Sequence, residues 1–154
     1  MTRPYVRHHQ TDTPEFRAFY NARRRCTDVK GKQWESYGGR GIKFLFTSFE
    51  QFIKHIGPRP TPKHRLDRKN NDGHYEVGNV RWVTRTISNV NTRTRTNNVT
   101  GFRGVSRHSV GNRFSAQVAG KYLGLFKTRV AAAHAYDAAA LQQFGSRAKL
   151  NFSK

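Results

Sequence analysis

The chain has 154 residues, which is room for one domain or two small ones, and 29 Lys and Arg against 9 Asp and Glu give it a formal net charge of +20. Such an excess repels itself in isolation, so the composition predicts a polyanionic partner, with a ribosomal or merely solvated basic surface as the alternative. The single cysteine, Cys26, excludes a disulfide framework and a cysteine zinc cluster, and it is expected to be an ordinary packed thiol.

Residues 1–12 are basic, polar and without periodicity, and they are predicted to form a flexible arm. They have no apolar core of the kind that a secretory signal needs. The whole chain has no run of 18 apolar residues, so no membrane span is expected. We therefore expect a cytoplasmic protein without membrane contact, and we expect it to be a monomer.

Helix signals dominate the chain before residue 60. Thr13, followed by a proline and an acidic residue, is typical of a helix start. The glycine-rich residues 38–41 predict a tight turn into a strand over residues 42–46. Ser48 then begins a second helix with one apolar face, and Gly57 ends it.

Residues 63–91 predict two strands and a helix. Apolar and polar residues alternate at 64–68 and again at 80–83, on either side of a loop with turn chemistry. Thr84 is expected to cap a helix that carries Asn91. A ββα unit of this kind brings a strand carboxylate, a strand imidazole and a helix asparagine to one point. These three groups are nearly sufficient to hold one divalent metal ion and to activate one attacking water.

This segment resembles the HNH nucleases, in the form found in phage and intron-borne endonucleases. Asp67 on the first strand, Asn79 before the second strand and Asn91 on the helix carry the resemblance, together with the upstream motifs YGGRGI and SFEQFIKHIGPRP. It covers about residues 34–93. It implies a metal-dependent DNA endonuclease of the homing type, with one Mg²⁺ or Mn²⁺ ion held by Asp67 and Asn91. For a phage-encoded protein it also implies a place in the host cytoplasm.

The chain departs from the HNH pattern at the general base, because Arg68 stands where that family has a histidine. A guanidinium stays protonated and cannot accept a proton. His64 and His74 are therefore the candidate bases, and they remain alternatives to each other. Arg68 is instead a candidate for stabilising the charge that develops on the phosphate in the transition state.

Purely structural roles are the alternative for the other site residues. Asp67 would then form a buried ion pair with Arg65 or Arg68, and Asn79 and Asn91 would only cap turns and the helix. With such roles the protein is a non-enzymatic DNA-binding regulator that carries a degenerate HNH module.

Residues 92–100 are poor in apolar side chains and predict a linker, so we place a domain boundary near Asn98. The predicted domains are an HNH-like nuclease module over residues 13–98 and a second domain over residues 99–154. Both carry an excess of basic residues, and both are therefore expected to contact the same polyanion.

The second predicted domain alternates apolar and polar residues in three short segments, with turns at Asn112 and Gly120. The middle segment has one core face and one free face, and Ser115 and Gln117 lie on the free face. Thr128 then begins an alanine-rich helix. The small residues expected to let this helix lie close to the sheet are Ala131, Ala135 and Ala138.

This pattern resembles the plant ethylene-response-factor (Apetala-type) DNA-binding domain over nearly all of residues 100–152. The matching motifs are FRGV, YLG, AYD and GSRA. In that family the free face enters the major groove, which has room for strands. Arg103 keeps the family's arginine, and Tyr122 stands for its tryptophan. Gln117 replaces a glutamate, while Ser106 and Ala119 replace arginines, which implies a weaker or altered sequence preference.

The predicted fold class is α+β, with an HNH-like ββα-metal module and covering helices, followed by a small three-stranded antiparallel sheet packed on one α-helix. The predicted function is metal-dependent cleavage of double-stranded DNA, by nicking or by double-strand cleavage, with the C-terminal sheet as the targeting element. The predicted DNA-binding residues are Arg40, Arg93, Arg95, Arg103, Arg107, Arg113, Gln117, Lys121 and Tyr122.

Overall fold

The computed structural model describes residues 12–94 and 97–152. The chain divides into two compact units, Met1–Thr84 and Arg85–Lys154. Helices accompany two small antiparallel sheets, one of two strands and one of three, so the α+β class is confirmed. The predicted N-terminal arm falls almost entirely outside the described residues.

Two capped helices begin the first unit. Helix α1 spans Pro14–Thr27, and the Thr13 hydroxyl accepts a hydrogen bond from the backbone N–H of Phe16 at 3.2 Å. Helix α2 spans Phe49–Ile56, and the Ser48 hydroxyl accepts from the N–H of Gln51 at 3.2 Å. Gly57 ends α2 with a φ of 71°, a left-handed value that glycine adopts without strain. The predicted helix starts and the α2 stop are therefore confirmed.

The core of the first unit is mainly aromatic. Phe19 from α1 packs edge-to-face against Phe49 and Phe52 from α2, with ring centroids 5.6 Å apart in both pairs. Cys26 is buried in the same core, as expected, and burial raises the pKa of its thiol. Aromatic rings supply the large apolar area that a unit of this size needs to be stable.

The strand predicted over residues 42–46 is wrong. That segment forms one isolated parallel bridge, from Phe44 to Tyr75. The N–H of Leu45 donates to the Tyr75 carbonyl and the N–H of Tyr75 donates to the Lys43 carbonyl, both at 2.9 Å. The apolar residues that suggested a strand are there because Ile42 and Phe46 fill the aromatic core.

The hairpin predicted from strands at residues 64–68 and 80–83 is confirmed, and its second strand also includes Thr84, the residue expected to cap the helix. Strand β1 (His64–Arg68) pairs antiparallel with β2 (Val80–Thr84), and Asp67 lies opposite Arg81. Helix α3 (Arg85–Val90) begins directly after β2 and belongs to the second unit. The division by contacts thus falls after Thr84, whereas the sequence placed a boundary near Asn98.

The second unit contains a three-stranded sheet covered on one face by a helix. Strands β3 (Val105–Arg107), β4 (Phe114–Val118) and β5 (Lys121–Phe126) are paired in chain order, and helix α4 (Arg129–Phe144) packs against them. The Thr128 cap on α4 is confirmed, since its hydroxyl accepts from the N–H of Ala131 at 3.1 Å.

The helix face predicted to meet the sheet was partly wrong. Ala131 and Ala138 are exposed, and Ala135 is half-buried. The residues of α4 that are buried are Ala132, Ala133, Tyr136 and Ala140. Because alanines occur at almost every position of this helix, helical spacing alone selects no single face.

The C-terminal segment is fixed to α4 by one carboxylate. Asp137 accepts hydrogen bonds from the backbone N–H of Asn151 at 2.8 Å and of Phe152 at 2.9 Å. The Asn151 amide in turn accepts from the N–H of Arg103 at 2.7 Å. These bonds close the unit around its sheet.

Among the described helices, none combines the length and the apolar content needed to cross a bilayer.

Tyr75 gives a pH test of the first unit's core. Burial, followed by the neighbouring Tyr37, raises the pKa of Tyr75 to about 12, from an ordinary value of 10.0. Between pH 10 and pH 12 the unfolded chain loses this proton and the folded chain keeps it, so the stability that Tyr75 contributes falls as the pH rises. The difference in unfolding free energy between wild type and Tyr75→Phe should therefore shift by about 2–3 kcal/mol in favour of the variant over this window.

Urea titrations at several pH values measure that shift. Tyr20→Phe is the matched control because it removes a hydroxyl from an exposed ring. A wild-type to Tyr75→Phe difference that stays constant up to pH 12 would contradict the assignment.

Candidate functional site

The strand carboxylate of the first unit lies beside an arginine from the opposite strand. Arg81 Nε donates to Asp67 Oδ2 at 3.2 Å, and the side chains are 24% and 7% exposed. The two residues are directly paired across the hairpin. Asp67 thus forms an ion pair, as the structural alternative predicted. The partner in this contact is Arg81, whereas the sequence had suggested Arg65 or Arg68.

Arg68 is buried in the core of the first unit. Its Nη1 donates to the Gly73 carbonyl at 2.7 Å, and its guanidinium lies over the rings of Tyr37 and Tyr75 at 5.2 Å and 4.9 Å from their centroids. The residue is only 6% exposed. These contacts give the guanidinium a structural function, whatever its relation to a phosphate.

The two candidate bases lie in different surroundings. Strand alternation puts His64 on the hairpin face that carries Leu66 and Arg68, and puts Asp67 on the other face. The His64 ring nitrogen Nδ1 lies 2.9 Å from the Thr61 hydroxyl. His74 is in the loop between the strands, and its Nδ1 accepts from the backbone N–H of Lys43 at 3.3 Å.

Asn79 closes the loop between the two strands. Its Oδ1 accepts from the N–H of Asn70 at 2.9 Å, and its Nδ2 donates to the carbonyls of His74 at 2.7 Å and Asn70 at 3.2 Å. Both ends of the amide are therefore used in holding the loop. The structural alternative for Asn79, a turn-capping residue, describes these contacts.

Asn91 follows α3 in the second unit. It is 3% exposed, and its backbone N–H donates to the Ile87 carbonyl at 3.0 Å. Its assignment as a metal ligand stays a prediction. Over residues 12–94 and 97–152, no group of three or more His, Cys, Asp or Glu side chains is arranged to hold a metal ion.

The second unit presents one open sheet face. Core residues Ala116 and Val118 point towards α4, so the alternate residues of β4 point away from it. Cross-strand pairing places Ser106 beside Ser115, Ser115 beside Leu125, and Gln117 beside Tyr122. We call these five residues the outer face: Ser106, Ser115, Gln117, Tyr122 and Leu125. The free face predicted for this strand is confirmed.

A groove of about 530 Å³ runs along the outer face of the second unit. Among its lining residues are four of the predicted DNA-binding residues, Arg93, Arg103, Arg107 and Gln117. Two of the arginines already have protein partners. Arg103 Nη1 donates to the Val90 carbonyl at 3.2 Å, and Arg107 Nη2 donates to Asn112 Oδ1 at 3.1 Å.

The remaining predicted DNA-binding residues are dispersed. In the first unit, Arg40 forms an ion pair with Asp72 and also donates to the Ser36 carbonyl at 3.2 Å. In the second unit, Arg113 and Lys121 are exposed beside the ends of strands β4 and β5. Arg95 lies outside the described residues.

Sequence reasoning missed Arg81 and Leu125. The signal for Arg81 was the hairpin register, since pairing Arg68 with Val80 automatically puts Arg81 opposite Asp67. Leu125 was hidden by an irregularity, because a β-bulge next to Gln117 shifts the register between β4 and β5.

The chain matches no protein-family model, and none of the curated proteins matches it significantly. The fold and the site therefore define its class by themselves. It is a strongly basic α+β protein that combines a carboxylate-bearing β-hairpin unit with a sheet unit whose outer face is open.

Arg68 should be important for stability. Lysine cannot reproduce the planar fork or the stacking of a guanidinium, so Arg68→Lys loses the bond to the Gly73 carbonyl and weakens both ring contacts. We expect the free energy of unfolding to fall by about 2–4 kcal/mol. Urea denaturation measures this free energy. The control is Arg65→Lys, because Arg65 is an exposed arginine of the same strand. We expect it to change the free energy of unfolding by no more than about 0.5 kcal/mol. Equal effects of the two variants would contradict the buried role.

Proposed function

We propose that this protein is a metal-dependent endonuclease of double-stranded DNA, of the HNH homing type, with the sheet unit as its DNA-targeting element. One observation carries the proposal. A buried aspartate lies on the first strand of an antiparallel hairpin, one residue before that strand ends, and this hairpin is followed directly by a helix. The +20 charge and the groove beside the outer face support a DNA substrate.

Asp67 is the residue that would hold the metal ion. Mg²⁺ is commonly bound through only one or two carboxylates, with water and substrate phosphates as the other ligands. A single strand carboxylate therefore fits such an ion, even though the described residues contain no larger acidic cluster. When bound, the ion would supply electrostatic stabilisation at the scissile phosphate.

His74 is the better candidate for the general base. A base must reach the same water as the carboxylate that holds the metal, and strand alternation directs His64 to the opposite face of the hairpin from Asp67. His74 lies in the loop between β1 and β2. Asn79 holds this loop, because its Nδ2 donates to the His74 carbonyl at 2.7 Å. Asn79 then acts as a positioning residue for that loop.

A second function is favoured by the contacts of Asp67 and Asn79. The carboxylate is already paired with Arg81 and both ends of the Asn79 amide are used, which is what a purely structural hairpin requires. On this alternative the protein binds duplex DNA without cleaving it, as a regulator.

Plasmid nicking separates the two functions. We expect supercoiled plasmid to be nicked or linearised in the presence of Mg²⁺ or Mn²⁺, and Asp67→Asn to lower the rate at least 10²-fold because the metal's carboxylate is lost. DNA affinity should be kept or raised, since a negative charge is removed. Asp72→Asn is the control, because Asp72 is an exposed carboxylate of the neighbouring loop.

Absence of cleavage by the wild type with either metal, together with intact duplex binding, would favour the regulator. His74→Ala and His64→Ala then refine the active alternative. Replacing the true base should lower the cleavage rate about 10²–10⁴-fold, and replacing the other histidine should change it little.

Salt dependence tests the electrostatic part of the proposal. If about 6–10 phosphates are neutralised, DNA affinity should fall roughly 10³–10⁵-fold between 50 and 200 mM salt. Fluorescence anisotropy with a labelled duplex measures this slope. An affinity that does not change with salt would show that the +20 charge serves another purpose.

A further inference from the structure

The outer face offers a set of uncharged side chains to whatever binds there. Its members are two serine hydroxyls, the Gln117 amide, the Tyr122 phenol and the aliphatic Leu125. Tyr122 is 59% exposed and Leu125 is 37% exposed. Both lie on the outer face of β5, and large exposed side chains rimmed by polar groups are typical of an interaction surface.

Two of the three arginines that line the groove along this face, Arg103 and Arg107, have other contacts within the protein. Arg103 donates to the Val90 carbonyl, and it also forms a hydrogen bond with Tyr136 on the core side. Arg107 is held by Asn112. Arginine is the residue that most often recognises guanine, through O6 and N7. Guanidinium groups that already have these partners are better placed to contact DNA phosphates along the protein groove than to contact base edges inside the DNA major groove.

The side chains that do point outwards match a different base pair. In the major groove, adenine presents N7 and the N6 amino group to a glutamine amide, and thymine presents a methyl group to apolar side chains. Gln117 and Leu125 lie diagonally across β4 and β5, a relationship that corresponds to roughly 7–8 Å between residues. Base pairs are about 3.4 Å apart, so the two side chains span about two steps.

We propose that the outer face recognises A·T pairs in the major groove, with Gln117 bound to adenine and Leu125 against a thymine methyl. This rests on the proposed binding of duplex DNA. Arg107, Arg113 and Lys121 are exposed at or next to the ends of strands β3, β4 and β5, and they supply the charge complementarity to the flanking phosphates. The substrate class is therefore duplex DNA with consecutive A·T pairs.

Competition binding of the full-length protein tests the preference. Duplexes of equal length with A·T-rich or G·C-rich centres and identical flanks are compared without divalent metal, so that no strand is cut. The A·T-rich duplex should bind about 5–100-fold more tightly, the range expected for one or two specific contacts.

Base analogues test the individual contacts. Uracil in place of thymine removes only the methyl group, and 7-deazaadenine removes only the N7 acceptor. Each should weaken wild-type binding. Leu125→Ala should no longer distinguish thymine from uracil, and Gln117→Ala should no longer distinguish adenine from its deaza analogue. Leu141→Ala and Gln142→Ala, on the exposed side of α4, are the matched controls.

The outcomes separate this inference from the proposed function. If no duplex is bound at all, the proposed function fails first. If duplexes are bound equally, or the G·C-rich duplex is preferred, only the A·T assignment is overturned. Loss of a G·C preference in Arg113→Ala would assign base recognition to that arginine instead. Analogue effects that persist unchanged in both variants would also overturn the assignment to Gln117 and Leu125.

Discussion

A buried guanidinium connects the β1–β2 hairpin of the first unit to the rest of that unit. The Arg68 guanidinium lies over the stacked rings of Tyr37 and Tyr75 and donates to the Gly73 carbonyl. It therefore joins the glycine-rich turn, the aromatic core and the loop between β1 and β2. Burying a charge is costly unless it is hydrogen-bonded and paired, and these contacts meet that cost.

The second unit separates its charged side chains from its uncharged outer face. The cations lie along the groove or beside the ends of strands β4 and β5, while the outer face carries amide, phenol, hydroxyl and aliphatic groups. Contacts to phosphates give affinity without sequence information, whereas contacts to base edges give specificity. A strongly basic protein can therefore be selective if its few uncharged contacts are held rigidly. Here the pairing of β4 with both neighbouring strands provides the rigidity.

Local signals in the sequence predicted the elements well, and long-range contacts less well. The caps at Thr13, Ser48 and Thr128 depend on neighbouring residues only, and all three are confirmed. The strand at residues 42–46 failed because burial in a shared core produces the same apolar pattern as a strand. The partner of Asp67 could not be chosen without the hairpin register, since several arginines lie nearby in sequence. The relation of Leu125 to Gln117 depended on a bulge that has no clear sequence signal.

Stability gives a weak reason for Asp67 to be where it is. Replacing a buried ion pair by apolar residues of similar volume is often neutral or stabilising, because desolvation offsets the attraction. Arg81 Nε lies 3.2 Å from the carboxylate, and its side chain is 24% exposed against 7% for Asp67, so the desolvation cost falls mainly on the carboxylate. The opposite face of the same hairpin already contributes Leu66 to the core. The pair by itself therefore adds little to the net stability of the hairpin.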